Sequence, residues 1–255
     1  MAEEDSMAGR QWSCGGRLLL RLRRPAAPAV VLACVLAVLG LTNLGNSGYL
    51  PSLGLVNALL AILLLSGIVW WAGGTRDDVG LGAGTLRRGA VWALALIGIV
   101  GSVYLVGALL PLTRELFSNP HTAHVGGGEL TLLMCVQVPL GTVLLEEYGF
   151  RGVLYGLVRR YGGTVAATFV SSLLFGLWHV LGTLHPATRH PALATDITHP
   201  HAVPLVIGTV LFTTAAGVLF CELRRRSNSL LAPMGLHWAT NALGYLTAFT
   251  LSHAH

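Results

Sequence analysis

The residues that could do chemistry are concentrated in Leu144-Leu145-Glu146-Glu147-Tyr148-Gly149-Phe150-Arg151-Gly152, inside an otherwise apolar run from Leu130 to Val158. That run is long enough to cross a bilayer. Each charge at the centre of such a run costs roughly 2.5 to 3.5 kcal/mol on insertion scales, so a segment that only had to span would not carry them. Glu147 and Arg151 are four apart, share a helix face and can pair. Glu146 points about 100° away around the helix. One carboxylate can therefore be held ionised by Arg151 while the other faces a cavity, and the spacing favours Glu146 as the free one. A carboxylate in a low-dielectric pocket can take a proton from water. Two later stretches, Phe175-Gly-Leu-Trp-His179 and His237-Trp-Ala-Thr-Asn241, offer partners. His179 is placed to orient the water. His237 and Asn241, four apart on one face, are donors suited to the oxyanion of a carbonyl under attack. The set has the parts for hydrolysis of an amide.

Blander readings apply to the same residues. The two glutamates and Arg151 could be a charge network that fixes helix packing, and Asn241 could be interhelical glue. Buried Glu and His chains also serve proton-coupled transporters, but neither inverted repeats nor paired broken helices stand out here. A catalytically idle membrane scaffold or bacteriocin-immunity protein is a further alternative. No HExxH occurs, so the usual zinc-protease site is absent. If a metal is present, Glu146, His179 and His237 are its candidate ligands, although no cofactor is favoured. Phe175 is expected to pack against His179. Ser171 and Ser172 lack a GxSxG context. His185, His190, His199 and His201 have irregular spacing in a Pro-rich stretch and read as a solvated loop.

The elements that must hold these groups are membrane helices. The chain has 255 residues, 53% apolar and 11% charged, against about 25% charged in soluble domains. The net charge of +5 comes from sixteen basic residues, all arginine, that lie between apolar segments rather than on a soluble face, which argues against a nucleic-acid partner. The arginine usage and short loops suggest a bacterial chain. The four cysteines have no ligand spacing and do not read as a disulfide framework. Apolar stretches at about 26–44, 50–72, 89–112, 130–158, 164–184, 204–223 and 230–251 predict an all-α, polytopic bundle of about seven transmembrane helices. Residues 1–25 form a basic segment, and 26–255 an integral-membrane domain with its motif core at about 129–251. Gly162-Gly163 should break the chain between the fourth and fifth spans. With the N-terminus in the cytoplasm, Arg10, Arg17, Arg21, Arg23, Arg24, Arg76, Arg87, Arg88, Arg159, Arg160, Arg224, Arg225 and Arg226 all fall inside. Only Arg114 and Arg189 fall outside, with Arg151 intramembrane, so the positive-inside bias supports this topology and a multi-pass protein of the cell membrane. Counted from the cytoplasmic ends, Glu146 is roughly 18 Å deep, His179 roughly 24 Å, and His237 with Asn241 roughly 11 to 17 Å. The three sets converge near the middle of the bilayer.

These residues resemble the three motifs of the CPBP family, the CAAX proteases and bacteriocin-processing (Abi) enzymes. Glu-Glu-x-x-x-Arg stands at 146–151, Phe-x-x-x-His at 175–179 and His-x-x-x-Asn at 237–241, intact and in family order on separate spans. The ordered set covers about 95 residues; the first three spans are similar to the family only in hydropathy. The resemblance implies an intramembrane endopeptidase, with Glu146 and His179 activating water. Glu147 and Arg151 would support them, and His237 and Asn241 would bind the oxyanion. Its partners would be a peptide or membrane-protein substrate and the surrounding lipid.

Overall fold

A computed structural model describes residues 27–50, 54–117, 125–184 and 202–253. The basic segment 1–25 and His185, His190, His199 and His201 lie outside the described residues. Within them the protein is a polytopic bundle of helices without strand. We label the long helices α1 (Pro28–Asn46), α2 (Leu55–Trp71), α3 (Ala83–Leu109), α4 (Gly127–Leu184), α5 (Ala202–Ser227) and α6 (Leu231–Ser252). Short turns at Pro111–Arg114 and Glu115–Phe117 follow α3. By length and composition α1, α3, α4 and Val203–Ser227 of α5 can each cross a membrane, and α2 is a shorter apolar helix.

The helical path of α4 is 58 residues long, roughly 87 Å at 1.5 Å per residue, far more than one bilayer needs. It breaks at Gly163, where φ is 78° and ψ is −179°. Only glycine enters that backbone region without strain, and the two arms on either side correspond to the expected fourth and fifth spans. Counting the arms separately, the described residues form seven helical rods in chain order, of which α6, where a seventh span is expected, is not among those apolar enough by length and composition to cross a membrane.

The first arm departs from a regular α-helix. Leu133–Val143 and Glu147–Leu154 are π-helical, whereas the sequence reading treats the whole run as α. Pro139 lies inside the first π segment; it has no N–H to give and its ring crowds the preceding turn. π turns in otherwise α-helical rods gather at functional sites, and Glu147 through Leu154 are all buried.

That arm is the axis of the bundle. The central core joins Val35 and Leu39 of α1, Leu65 of α2, Tyr148, Phe150, Val153 and Leu154 of the first arm, and Phe175 of the second. Phe220 and Leu223 of α5 and Ala232 of α6 complete it. α5 lies along the second arm and α6 along α3. Large apolar side chains such as Leu94, Leu109, Val165 and Phe212 point outward, the arrangement expected of helices whose periphery meets lipid.

One end of the bundle is tied by arginines. The 2–3 connection meets the end of α5 and the start of α6 there: Leu230 N–H donates to Gly80 O (2.8 Å), and Arg88 Nη2 to Arg226 O (2.7 Å). Arg160, just before the Gly163 break, donates to Ala72 O and Gly73 O. The α2–α3 connection, the Gly163 break within α4 and the α5–α6 connection therefore share one end. Arg224 belongs with Arg225 and Arg226 to the arginine cluster that closes α5. It is buried, and its Nη2 donates to the carbonyls of Asp77 (3.2 Å) and Asp78 (3.3 Å). Arg225 and Arg226 remain outside and pair with Glu222. Held this way, the connection seats Val79 in the central core and lays Asp78 O where a Cβ on Gly156 would sit 2.7 Å from it.

Asp78 caps this connection, accepting from the Thr75 N–H and hydroxyl, both at 2.8 Å. Partial burial would raise its pKa, but those hydrogen bonds and the charges of Arg160 and Arg159 outweigh it and hold the carboxyl below its ordinary value. A lowered folded-state value contributes stability above the unfolded pKa of about 3.9, and that contribution is lost as pH falls through the lowered value. Acid titration should therefore loosen this connection in wild type and less in Asp78→Asn, measured by hydrogen exchange of residues 75–82. At Gly80, φ is +79° and an added Cβ would collide with the Arg224 guanidinium. Gly80→Ala is expected to destabilise the protein by about 1–3 kcal/mol, read as a lower Tm in detergent. Gly84→Ala, with nothing within 4 Å of its Cβ, should leave Tm unchanged.

Candidate active site

The short α-helical stretch Leu144–Glu146 and the π-helical Glu147–Leu154 that follows it carry Glu146, Glu147 and Arg151 into the bundle centre. Arg151 and Glu147 are both fully buried, with Nη1 and Oε1 3.2 Å apart. The same Glu147 Oε1 lies 2.8 Å from His237 Nδ1, brought by α6. A carboxylate accepts only, so this nitrogen is the N–H donor. Glu147 thus joins the guanidinium of its own helix to the imidazole of another. The aromatic rings around it complete the setting. Arg151 Cζ lies 3.8 Å from the centroid of Phe175 and 4.8 Å from that of Phe220. His237 stacks on Phe220 at 5.3 Å and 23°. A guanidinium over ring faces is partly compensated for lost water, which matters because Arg151 Nε and Nη2 have no hydrogen-bond partner among the described residues.

Glu146 is 8% exposed and stands outside the ion pair. Its Oε1 accepts from Trp178 Nε1 at 3.1 Å. Its Oε2 has no hydrogen-bond partner among the described residues and lies 3.9 Å from His237 Nε2, too far for a direct hydrogen bond.

His179, on the second arm of α4, is half-buried. Its Nδ1 is 2.8 Å from Phe175 O. A carbonyl can only accept, so Nδ1 carries the proton and Nε2 keeps its lone pair in the neutral ring. Phe175 packs edge-on against His179 at 4.8 Å and against His237 at 6.3 Å, so one ring separates the two imidazoles. Asn241, one turn beyond His237, is half-buried, and no hydrogen bond joins it to the Glu/His set among the described residues. Of the expected residues, Glu146, Glu147, Arg151 and His237 form one contact network, and His179 borders it through Phe175.

Among the described residues no group of three or more His, Cys, Asp or Glu side chains is disposed to hold a metal ion.

Two residues of the site escape the sequence reading. Trp178 sits within the second motif beside the singled-out His179, and an indole in a membrane helix reads as packing. Phe220 lies in an apolar span with nothing to distinguish it. A buried carboxylate in need of a donor is the signal that could have pointed to Trp178.

Compared with known families, residues 128–243 match the model described as type II CAAX prenyl endopeptidase Rce1-like. This segment is a CPBP-family, CAAX-protease-type domain. It contains all three motifs and ends just beyond Asn241. No curated protein and no solved structure matches the chain significantly. Together with the apolar helices, the match indicates a membrane protein with a CAAX-protease-type segment.

Removing one partner of a buried ion pair strands the other. Arg151→Leu is therefore expected to cost about 3–5 kcal/mol, measured by unfolding in mixed micelles. The double variant Glu147→Gln/Arg151→Leu should recover part of that loss.

Proposed function

We propose that this protein is an intramembrane endopeptidase, with several membrane passes and its arginine-rich end in the cytoplasm, that hydrolyses a peptide bond with a glutamate-activated water. The observation that carries the proposal is Glu146: a carboxylate inside the bundle, outside the ion pair, with Oε2 turned toward His237 Nε2 at 3.9 Å. A water hydrogen-bonded to both atoms would sit where the base can deprotonate it. The water oxygen attacks the carbonyl carbon of the substrate and Glu146 takes the proton. The C–N bond then breaks, the carbonyl re-forms, and the proton passes to the leaving amine.

His179 assists Glu146 in activating the water, with its Nε2 lone pair available. His237 and Asn241 stabilise the oxyanion. With Nδ1 bonded to Glu147, His237 presents Nε2, and in the imidazolium form that nitrogen donates to the oxyanion. Glu147 and Arg151 hold this ring in place and do not react. Donors fixed in advance in a dry site commonly account for a large part of such catalysis. The family description supports a membrane-associated peptide substrate, with prenylated CAAX peptides the first class to try. The chemistry proposed here is metal-independent.

The test is N-terminal peptide mapping of membranes from cells expressing wild type or Glu146→Gln at matched levels. New N-termini are expected with wild type alone. Turnover by Glu146→Gln should fall by roughly 10²–10⁴-fold, the usual worth of a general base, and His179→Ala should behave alike. Activity is expected to survive chelators. Retained cleavage by folded Glu146→Gln would remove the mechanism, and loss to a chelator restored by zinc would return the chemistry to Glu146, His179 and His237. Identical peptide maps from folded proteins would favour the idle-scaffold alternative.

A further inference from the structure

We propose that Trp178 is a positioning residue for the Glu146 carboxylate, choosing which oxygen works. This rests on the proteolytic reading above. The indole Nε1 donates to Oε1 at 3.1 Å, and Oε2 alone is left to face His237. The terminal torsion of a glutamate is broad and nearly two-fold, so its own rotamer preference does not distinguish the two oxygens. A donor fixed on one of them does. The indole is donor-only. It can neither accept the proton that Glu146 takes from water nor exchange roles during turnover. With Oε1 occupied as an acceptor, the incoming proton goes to Oε2, beside the water, and leaves from there to the amine.

Trp178 is itself held from three sides. Its ring meets Phe150 edge-on at 5.5 Å and 80°. It packs against the cluster of Ala58, Ala61 and Leu145. Its backbone carbonyl accepts from Asn43 Nδ2 of α1 at 3.0 Å. The first two helices, which lie outside the family-matched segment, thereby both contact the residue that bonds the proposed base.

Trp178→Phe keeps an aromatic ring against Phe150 and removes the N–H. With a fluorogenic farnesylated CAAX peptide as probe and the full chain in detergent, kcat should fall roughly 10- to 100-fold, the scale of a misplaced reacting group. KM should stay within about two-fold, since substrate binding is untouched. A variant that lost only packing would instead show less folded enzyme with unchanged kcat per folded molecule, and that result overturns the proposal. A second arm needs no turnover and no Trp178 variant. The indole N–H band in ultraviolet resonance Raman spectra should report one tryptophan moving from a hydrogen-bonded to a free position in Glu146→Ala. No change in that band overturns the proposal even if kcat falls. If wild type leaves the peptide uncut, the CAAX-peptide reading fails, and the Raman arm alone decides for or against the Trp178–Glu146 bond.

Discussion

The structure depends on keeping a guanidinium and carboxylates inside an apolar bundle. Idealised transfer of either ion from water into a low-dielectric interior costs several kcal/mol even after relaxation. Arg151 and Glu147 share that cost through their contact, and the neighbouring elements are arranged around it. Phe175 and Phe220 present ring faces to the guanidinium. His237 gives the carboxylate its second donor. The participants come from both arms of α4, from α5 and from α6, so the charge network can be completed only when all four rods are docked. A buried pair of this kind is weak evidence of stability and better evidence of a specified arrangement.

Docking around a polar centre explains the form of the first α4 arm. Its wide turns expose backbone and side chains differently from an α-helix, and they coincide with the span that carries the charged motif. The apolar surface of the bundle faces outward, so association of the rods has little hydrophobic drive within lipid. Close approach at small residues, polar contacts and aromatic packing must hold it instead. At the arginine-rich end the same logic applies to Arg224, which joins α5 to the connection between α2 and α3 through backbone carbonyls rather than through a carboxylate.

The network also separates two tasks that adjacent glutamates of identical chemistry could otherwise share. Glu147 shares one oxygen between Arg151 and His237, and Glu146 gives one oxygen to Trp178. The second oxygen of each has no hydrogen-bond partner among the described residues, but only that of Glu146 is turned toward His237 Nε2, at 3.9 Å. Sequence spacing favours this division because residues 147 and 151 share a face. Tertiary contacts complete it: Trp178 approaches Glu146 from the second arm, and His237 approaches from α6 with one nitrogen toward each glutamate.

Much of this was legible in the chain because membrane insertion makes composition informative. Uninterrupted apolar length marks the rods, Gly163 marks the break, and a charge inside an apolar run is too costly to be incidental. Those signals determined an all-helical membrane bundle, the order of its elements, and the membership of Glu146, Glu147, Arg151, His179, His237 and Asn241 in one candidate set. Only the tertiary structure decided which atoms meet. Burial of Arg224 depends on carbonyls about 147 positions away in sequence, and the roles of Trp178 and Phe220 depend on neighbours from other helices. The division between the glutamates likewise needed a third helix to deliver His237. Local spacing governs which side chains share a face of their own helix; the rotation and approach of one helix against another are set by packing across the whole bundle.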